Sequence, residues 1–510
     1  METLINLQSG FMVALQPENL LFCLIGVTLG TVIGLLPGIG ALSTISMLLP
    51  VTFYMDPTTA IIMLAGVFYG AQYGGSTASI LLNIPGTSTN AITCLDGHPM
   101  AKQGRAGVAL AITTWTSFIG GTFSILVLVF LAPFIARVAL QFGAAEYFSI
   151  AVFGLIAAST LSPGSALKGL AMVVLGLVLG LVGMDINSGV QRLNLGMLEL
   201  SDGLNIVALA MGLFGVAEIL VNLLRTSATP FAIGNVSFKS LFPTRQDVRD
   251  STFPTVRGML IGCLCGILPG VGPTIASFMA YAAERKVSRH PEKFGTGIVE
   301  GIAAPEAANN ASVQSAFIPT LSLGIPGDSV MAVLLGALLI HGIVPGPTLV
   351  IDQPQLFWGL IASFWIGNLI LLLLNLPLIG VFVQILRIPY DALYIAMLFF
   401  ICVGVFTIRN NVFDIFVVIF FGIVGTMMIL GRYPAAPLLL GFLLGPMIEE
   451  NMRRALLLSR GDVFTFVDSP ITAACMIFSA IALIWSFWQP VSQMLKRRRA
   501  TPKPLGSTQE

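Results

Sequence analysis

Between Asn19 and Met55 the chain carries no Asp, Glu, Lys or Arg. The same holds from Pro57 to Leu95, Ala106 to Ala136, Gly258 to Ala283, Gln353 to Leu386 and Ser469 to Leu495. A helix crosses a hydrocarbon core of about 30 Å with about 20 residues. Several of these windows are too long for one crossing and too short for two. Shorter apolar runs near 147–167, 169–184, 203–224, 392–408 and 412–431 bring the expected total to about a dozen membrane segments. The runs are continuously apolar, without the in–out alternation of barrel strands, which disfavours a β-barrel. Of 510 residues 10% are charged and 56% hydrophobic, with a mean hydropathy of +0.91. So few charges cannot solvate the surface of a chain this long, which excludes soluble, disordered and nucleic-acid-binding classes. The expected fold is an all-α polytopic membrane protein in a lipid bilayer, with no nucleic-acid partner.

The six cysteines form neither a disulfide framework nor a zinc pattern. Cys263 and Cys265 read as small core residues. His98, His290 and His341 are scattered, so no histidine metal site and no cofactor is expected. No Lys or Arg precedes the first apolar run and no short apolar core leads to a cleavage site, so no signal peptide is expected.

Two motifs recur in order. GLLPGIG at Gly34–Gly40 returns as GILPGVG at Gly266–Gly272, an offset of 232 residues. Asn-Ile-Pro-Gly at Asn83–Gly86 returns as Gly-Ile-Pro-Gly at Gly324–Gly327, an offset of 241. This organisation predicts an N-terminal repeat at 1–225, a linker at 226–257, a C-terminal repeat at 258–490 and a tail at 491–510. The linker holds Lys239, Arg245, Arg249 and Arg257 and is expected in the cytoplasm by the positive-inside rule. The window Gly258–Ala283 has basic residues at both ends and a Pro-Gly break in its middle. It reads as a re-entrant hairpin from the cytoplasmic face. Its counterpart, Asn19–Met55, is flanked by Glu18 and Asp56 and fits entry from the opposite face. The second motif reverses too: Lys102 and Arg105 follow Gly86, whereas no basic residue follows Gly327 before Asp352. Inverted-topology repeats of this kind mark secondary transporters. The basic run Lys496–Arg499 places the C-terminus in the cytoplasm.

Pro37 and Pro269 break their helices, and the flanking Gly34, Gly38, Gly40, Gly266, Gly270 and Gly272 allow close backbone approach. A helix restarting after such a break offers free N–H groups to an anion such as a carboxylate. Freed carbonyls can ligate Na⁺. Polar groups stand at the same places: Ser43 and Thr44 after the first break, Thr274 after the second, and Thr87 and Ser88 after Pro85–Gly86. A packing kink is the plain alternative for any one break. Four paired motifs with polar residues attached favour a substrate and ion path. In Glu300–Asn310, the residues Glu306, Asn309 and Asn310 lean towards function, because an acid within the membrane is a functional hypothesis by default. Glu300 reads equally as functional or as an interfacial helix start. Asp328, beside Pro326–Gly327, is expected either to hold a cation or to cap the next helix, and a Na⁺ position near Asn310 and Gly327 is one expectation. Lys168, Glu146 and Glu218 read as interfacial or packing charges. No phosphate loop, HExxH or nucleophile elbow is present, so no enzyme and no ATP-driven transport is expected.

GLLPGIGALSTISMLLP (34–50), YGGSTASILLNIPGTSTNAITCLDGHPMAKQGRAG (73–107), GILPGVGPTIASFMAYAAERK (266–286) and EGIAAPEAANNASVQSAFIPTLSLGIPG (300–327) together resemble the large membrane subunit of tripartite tricarboxylate transporters, the TctA family. The resemblance implies a multi-pass subunit of the bacterial inner membrane that imports tricarboxylates or related organic anions by Na⁺ or H⁺ symport. It also implies a small membrane subunit (TctB-like) and a periplasmic substrate-binding protein (TctC-like) as partners, and a transport path at the glycine-rich motifs Gly34–Gly40 and Gly266–Gly272. The alternatives are a stand-alone carrier for another anionic metabolite, and a channel or intramembrane enzyme.

Overall fold

Proline, glycine and short polar caps set the helix boundaries in the computed structural model, which describes residues 2–36, 40–161, 165–185, 188–224, 238–378 and 390–499. In the first part of the chain these residues form α1 (Glu2–Ala14), α2 (Pro17–Leu35), α3 (Ala41–Thr52), α4 (Pro57–Leu82), α5 (Thr93–Met100), α6 (Ala106–Ala139), α7 (Ala144–Leu161), α8 (Ala166–Gly180) and α9 (Ile206–Leu224). Beyond the linker lie α10 (Arg245–Ile267), α11 (Gly272–Val287), α12 (Glu300–Ser315), α13 (Phe317–Leu323), α14 (Ser329–Ile340), α15 (Pro354–Asn375), α16 (Tyr390–Arg409), α17 (Val412–Leu430), α18 (Ala435–Leu458) and α19 (Pro470–Arg499). The one departure from an all-helical chain among the described residues is a two-residue antiparallel pair, β1 (Gly183–Met184) with β2 (Gln191–Arg192), in which Gly183 faces Arg192. Among the described residues six helices are long and apolar enough to cross a membrane, and shorter apolar helices accompany them.

Both uncharged windows that carry a GxxPGxG motif fold as a long helix, a break and a second helix: α2 with α3, and α10 with α11. At each break a leucine ahead of the proline is extended, as a following proline requires. Leu36 has φ −86° and ψ 104°, Leu268 has φ −82° and ψ 119°, and each N–H turns back three residues, to Ile33 and to Cys265. The twelve residues of α3 reach about 18 Å, short of a bilayer crossing.

Membrane helices gain little from burying apolar surface against each other, so their contact depends on close approach through small residues. In α2, Gly26, Gly30 and Gly34 form one stripe, and a methyl group on any of them would overlap the carbonyl oxygen of Met63, Val67 or Ala71 of α4 in turn. In α10, Gly258, Gly262 and Gly266 sit the same way on the carbonyls of Ala304, Ala308 and Ser312 of α12. The two glycine stripes are 232 residues apart and their partners 241 apart, the offsets of the two sequence motifs. The equivalence continues to the end of α4 and to the end of α13, the short helix that follows α12. There Asn83 (φ 57°) and Gly324 (φ 70°) both take the left-handed conformation that stops a helix.

These contacts leave α4 and α12 buried almost throughout. Satisfied polar anchors join the elements around them. Asp96 of α5 is fully buried; one carboxylate oxygen accepts the N–H groups of Gly295, Gly297 and Ile298 at 2.8–3.1 Å, and the other accepts Tyr281 Oη at 2.9 Å. Arg105, ahead of α6, pairs with Asp247, which also closes a capping box with Thr244. Burial pushes the Asp247 carboxyl up, but Thr244 and Arg105 outweigh it and hold it below the usual range. Lys168 donates to the carbonyl of Gly431 at the end of α17 (2.6 Å) and lies over the Tyr433 ring. It is a packing charge, as the sequence suggested.

The stripes generate a direct test. Gly262→Leu should destabilise the protein by about 3 kcal/mol, as overpacking of a tight contact does. Gly445→Ala, whose new methyl meets Leu177 at 3.5 Å, should melt within a few degrees of wild type. Thermal unfolding in detergent, followed by size-exclusion fluorescence, separates the two.

Candidate functional site

The second break lies against the Pro-Gly turn at 326–327, and the last turn of α2, just ahead of the first break, lies against the turn at 85–86. The N–H of Gly270 donates to the carbonyl of Gly327 at 2.7 Å. Gly270 has φ +80° and is pressed against the backbone of Ala158, so only glycine fits there. In the other half Gly86 packs so tightly on the carbonyl of Gly34 that no side chain could be accommodated. Ser88 and Thr274 bring the halves together, their hydroxyl oxygens 3.1 Å apart in an exposed position. Pro37 and Gly38 lie outside the described residues.

The sharpest polar feature is Glu306, deep in α12 and 1% exposed. Four side chains from neighbouring elements donate to its carboxylate. Oε1 accepts Thr93 Oγ1 of α5 and Asn90 Nδ2 (3.3 Å); Oε2 accepts Ser76 Oγ of α4 (2.7 Å) and Ser117 Oγ of α6 (3.4 Å). Asn310, one turn on, donates to Ser117 Oγ at 2.7 Å. Around this knot Thr87 donates to Asn90 Oδ1 (2.5 Å), Thr89 to Gln72 Oε1 (2.6 Å), and Asn90 Nδ2 also to Ser76 Oγ (2.8 Å). Unpartnered atoms adjoin it: both amide atoms of Asn309, Asn310 Oδ1, Ser312 Oγ and Gln314 Oε1 are buried without a hydrogen bond. Buried polar groups are ordinarily satisfied, so these unpartnered atoms make this run of α12 the candidate site.

Carboxylates from other elements face the starts of α3 and α11. Glu218 of α9 accepts Ser43 Oγ at 2.5 Å and lies in front of Gly40, the residue that caps α3. Asp328 caps α14 through the N–H of Met331 at 2.8 Å, with Oδ2 facing Gly272 and unbonded. The capping alternative for Asp328 therefore holds for one of its two oxygens. Neither Glu218, Glu306 nor Asp328 forms an ion pair among the described residues.

Of the residues singled out from sequence, Gly34, Gly86, Gly266, Gly270 and Gly327 meet at the two breaks, with Pro85 and Pro326 in the facing turns and Pro269 within the second break. Asn83 ends α4, and Thr44 is spent on the carbonyl of Gly40 in its own helix. Asn310 and Gly327 belong to different networks, one on Ser117 and the other on Gly270, and no hydrogen bond among the described residues joins them. Glu300 is the first residue of α12, at the helix start. Pro305 and Glu306 therefore lie inside α12, past its first turn. Sequence reasoning missed Gln72, Ser76, Thr93 and Ser117. The available signal was uncharged polar residues spaced four apart inside an apolar window. Glu218, read from sequence as an interfacial or packing charge, stands against Ser43 and Gly40 at the start of α3. Among the described residues no group of three His, Cys, Asp or Glu side chains forms a metal site.

Long apolar helices with broken helices packed among them define a polytopic membrane protein, in which irregular backbone is tolerated only inside protein or beside a cavity. The chain belongs to the tripartite tricarboxylate transporter TctA family, whose profile matches residues 20–440. It is thus a transporter membrane subunit and not an enzyme, and the family implies a system completed by TctB and TctC partners. Its relatives include an uncharacterised 52.8 kDa protein of the TAR-I ttuC′ 3′ region of Agrobacterium vitis, 49% identical over 95% of this chain and 98% of that one. Another is an uncharacterised protein of the TAR-II ttuC′ 3′ region of the same organism, 50% identical over 44% of this chain and 92% of that one. No solved structure matches the chain.

For the Glu306 cluster the expected order of stability is wild type, then Glu306→Gln, then Glu306→Ala. The alanine strands four donors and should cost about 3 kcal/mol or more, read as the loss of thermal stability in detergent.

Proposed function

We propose that the chain imports tricarboxylates or related organic anions by cation symport, Na⁺ or H⁺, receiving substrate from a periplasmic binding protein. In this reading 1–225 and 258–490 are inverted-topology repeats joined by a cytoplasmic linker. The protein lies in the bacterial inner membrane with its C-terminus in the cytoplasm. The observation that carries the reading is the doubled pattern of two broken helices, each locked by a glycine stripe onto a buried partner at the same pair of offsets, with the tip of the second resting on a Pro-Gly turn. Basic residues flank the second hairpin and acidic residues the first, which supports entry from opposite faces. The starts of α3 and α11 offer free N–H groups to a substrate carboxylate, and Ser88 and Thr274 stand where both halves can touch it. The three carboxylates without an ion pair favour a cation-coupled cycle, because an anionic substrate brought beside them needs compensating charge. Transport then follows by alternating access, with the hairpins and their partner helices moving against the remaining helices.

Two measurements test this. Ser88→Ala and Thr274→Ala should each raise the KM for uptake about two- to tenfold, the worth of one hydrogen bond, while Gly270→Leu should abolish uptake with the protein still in the membrane. Normal uptake by Gly270→Leu would remove the hairpin from the path. Accumulation by this chain reconstituted alone would favour a stand-alone carrier. For topology, cysteines introduced by Asp56→Cys and Ser288→Cys should react with an impermeant maleimide from opposite faces, and labelling from one face would break the inverted arrangement.

A further inference from the structure

Glu218 fronts the start of α3 from just beyond the π-turn Met211–Val216 in α9. Such turns interrupt a helix most often at functional positions. Its Oε2 lies 3.9 Å from where a Gly40 methyl would stand and 2.5 Å from Ser43 Oγ. The first turn of α3 leaves backbone N–H groups without intrahelical acceptors. The place that the transport reading gives to a substrate carboxylate is therefore held by a carboxylate of the chain itself. Two ionised carboxylates do not share one site; one of them must be neutral.

Ser43 makes that change easy. Its hydroxyl has one proton and two acceptors within reach, Glu218 Oε2 at 2.5 Å and the carbonyl oxygen of Phe214, inside the π-turn, at 3.1 Å. With Glu218 ionised, Ser43 donates to Oε2. When a proton from water binds Oε2, the new O–H donates to Ser43 Oγ, and the Ser43 proton turns to the Phe214 carbonyl. One proton enters and no hydrogen bond is lost. The elements packed here present few other titratable groups. Tyr69 and Tyr73 of α4 lie with Cys23 and Asn368, Asp414 of α17 accepts Asn205 Nδ2 at 3.1 Å, Asp328 heads α14, and Arg409 ends α16. None of them bonds to Glu218 among the described residues.

We propose that Glu218 is the proton carrier of the transport cycle, with Ser43 as its switch. Its protonation opens the start of α3 to an anionic substrate, and its deprotonation on the other face expels that anion. The proposal rests on the transport reading and selects H⁺ as the coupling ion.

The test uses the chain co-reconstituted with its two partner subunits in sodium-free vesicles. The probe is radiolabelled citrate, or a labelled dicarboxylate that the wild-type complex accumulates. Wild type should accumulate the probe when the outside is acidic. Glu218→Gln, a mimic of the protonated form, should still exchange labelled for unlabelled probe across the membrane but accumulate at least tenfold less. Glu218→Asp should retain acid-driven accumulation with a displaced pH profile. Three outcomes would overturn the assignment: acid-driven accumulation by Glu218→Gln equal to wild type, accumulation that needs a Na⁺ gradient and ignores pH, or loss of exchange together with accumulation in a correctly inserted Glu218→Gln protein. A wild-type complex that moves no organic acid would refute the transport reading itself, and this inference with it.

Discussion

A helix broken inside a membrane has to find partners for the backbone groups that the break sets free, because no water is there to take them. The bond from the N–H of Gly270 to the carbonyl of Gly327 answers that demand, and much of the surrounding structure follows from it. The hairpin tip must lie on the Pro-Gly turn. That turn must come at the end of the partner helix, and the partner must be close enough to hold both. Glycine at 258, 262 and 266 supplies the closeness. A side chain at any of these would lift α10 off α12 and carry the tip away from its acceptor.

Holding α4 and α12 in the middle of the bundle has a second effect. Helices wrapped on all sides can carry polar residues that a lipid-facing helix could not, and they carry them unequally. α4 brings Gln72 and Ser76, whereas α12 brings Glu306, Asn309, Asn310 and Gln314. The position equivalent to Glu306 in the first half is Ala65. The backbone is duplicated and the chemistry is not. One acid in the second half is served by hydroxyls and an amide drawn mostly from the first, so the cluster exists only when both halves are assembled.

This split decides what could be read from the sequence. Breaks were legible because proline and glycine impose them locally: Pro269, Pro85 and Pro326 announce their turns whatever surrounds them. The paired motifs were legible because the same short glycine and proline patterns recur in order at fixed offsets. Partnership was not legible. Ser76, Thr93 and Ser117 are ordinary residues in apolar stretches, and nothing local says that they converge on an acid more than 180 residues away. Glu218 misled for the same reason, since a lone acid near the end of an apolar helix looks interfacial until the hairpin is folded against it. The Na⁺ position expected near Asn310 and Gly327 joined two residues that are near in sequence but sit in separate networks.

The second hairpin has one feature that the first lacks. Arg257 of α10 grips Glu284 of α11 through two hydrogen bonds of 2.7 and 2.6 Å, and Glu284 is almost wholly buried. The corresponding positions of the first hairpin are Ile25 and Thr52, and the Thr52 hydroxyl is used within its own helix. One door of the pair is therefore bolted across its base and the other hangs free. The two are thus unlike despite their matched offsets: parting the legs of the second means stripping a buried carboxylate of its partner, and parting those of the first breaks no ion pair at the equivalent positions.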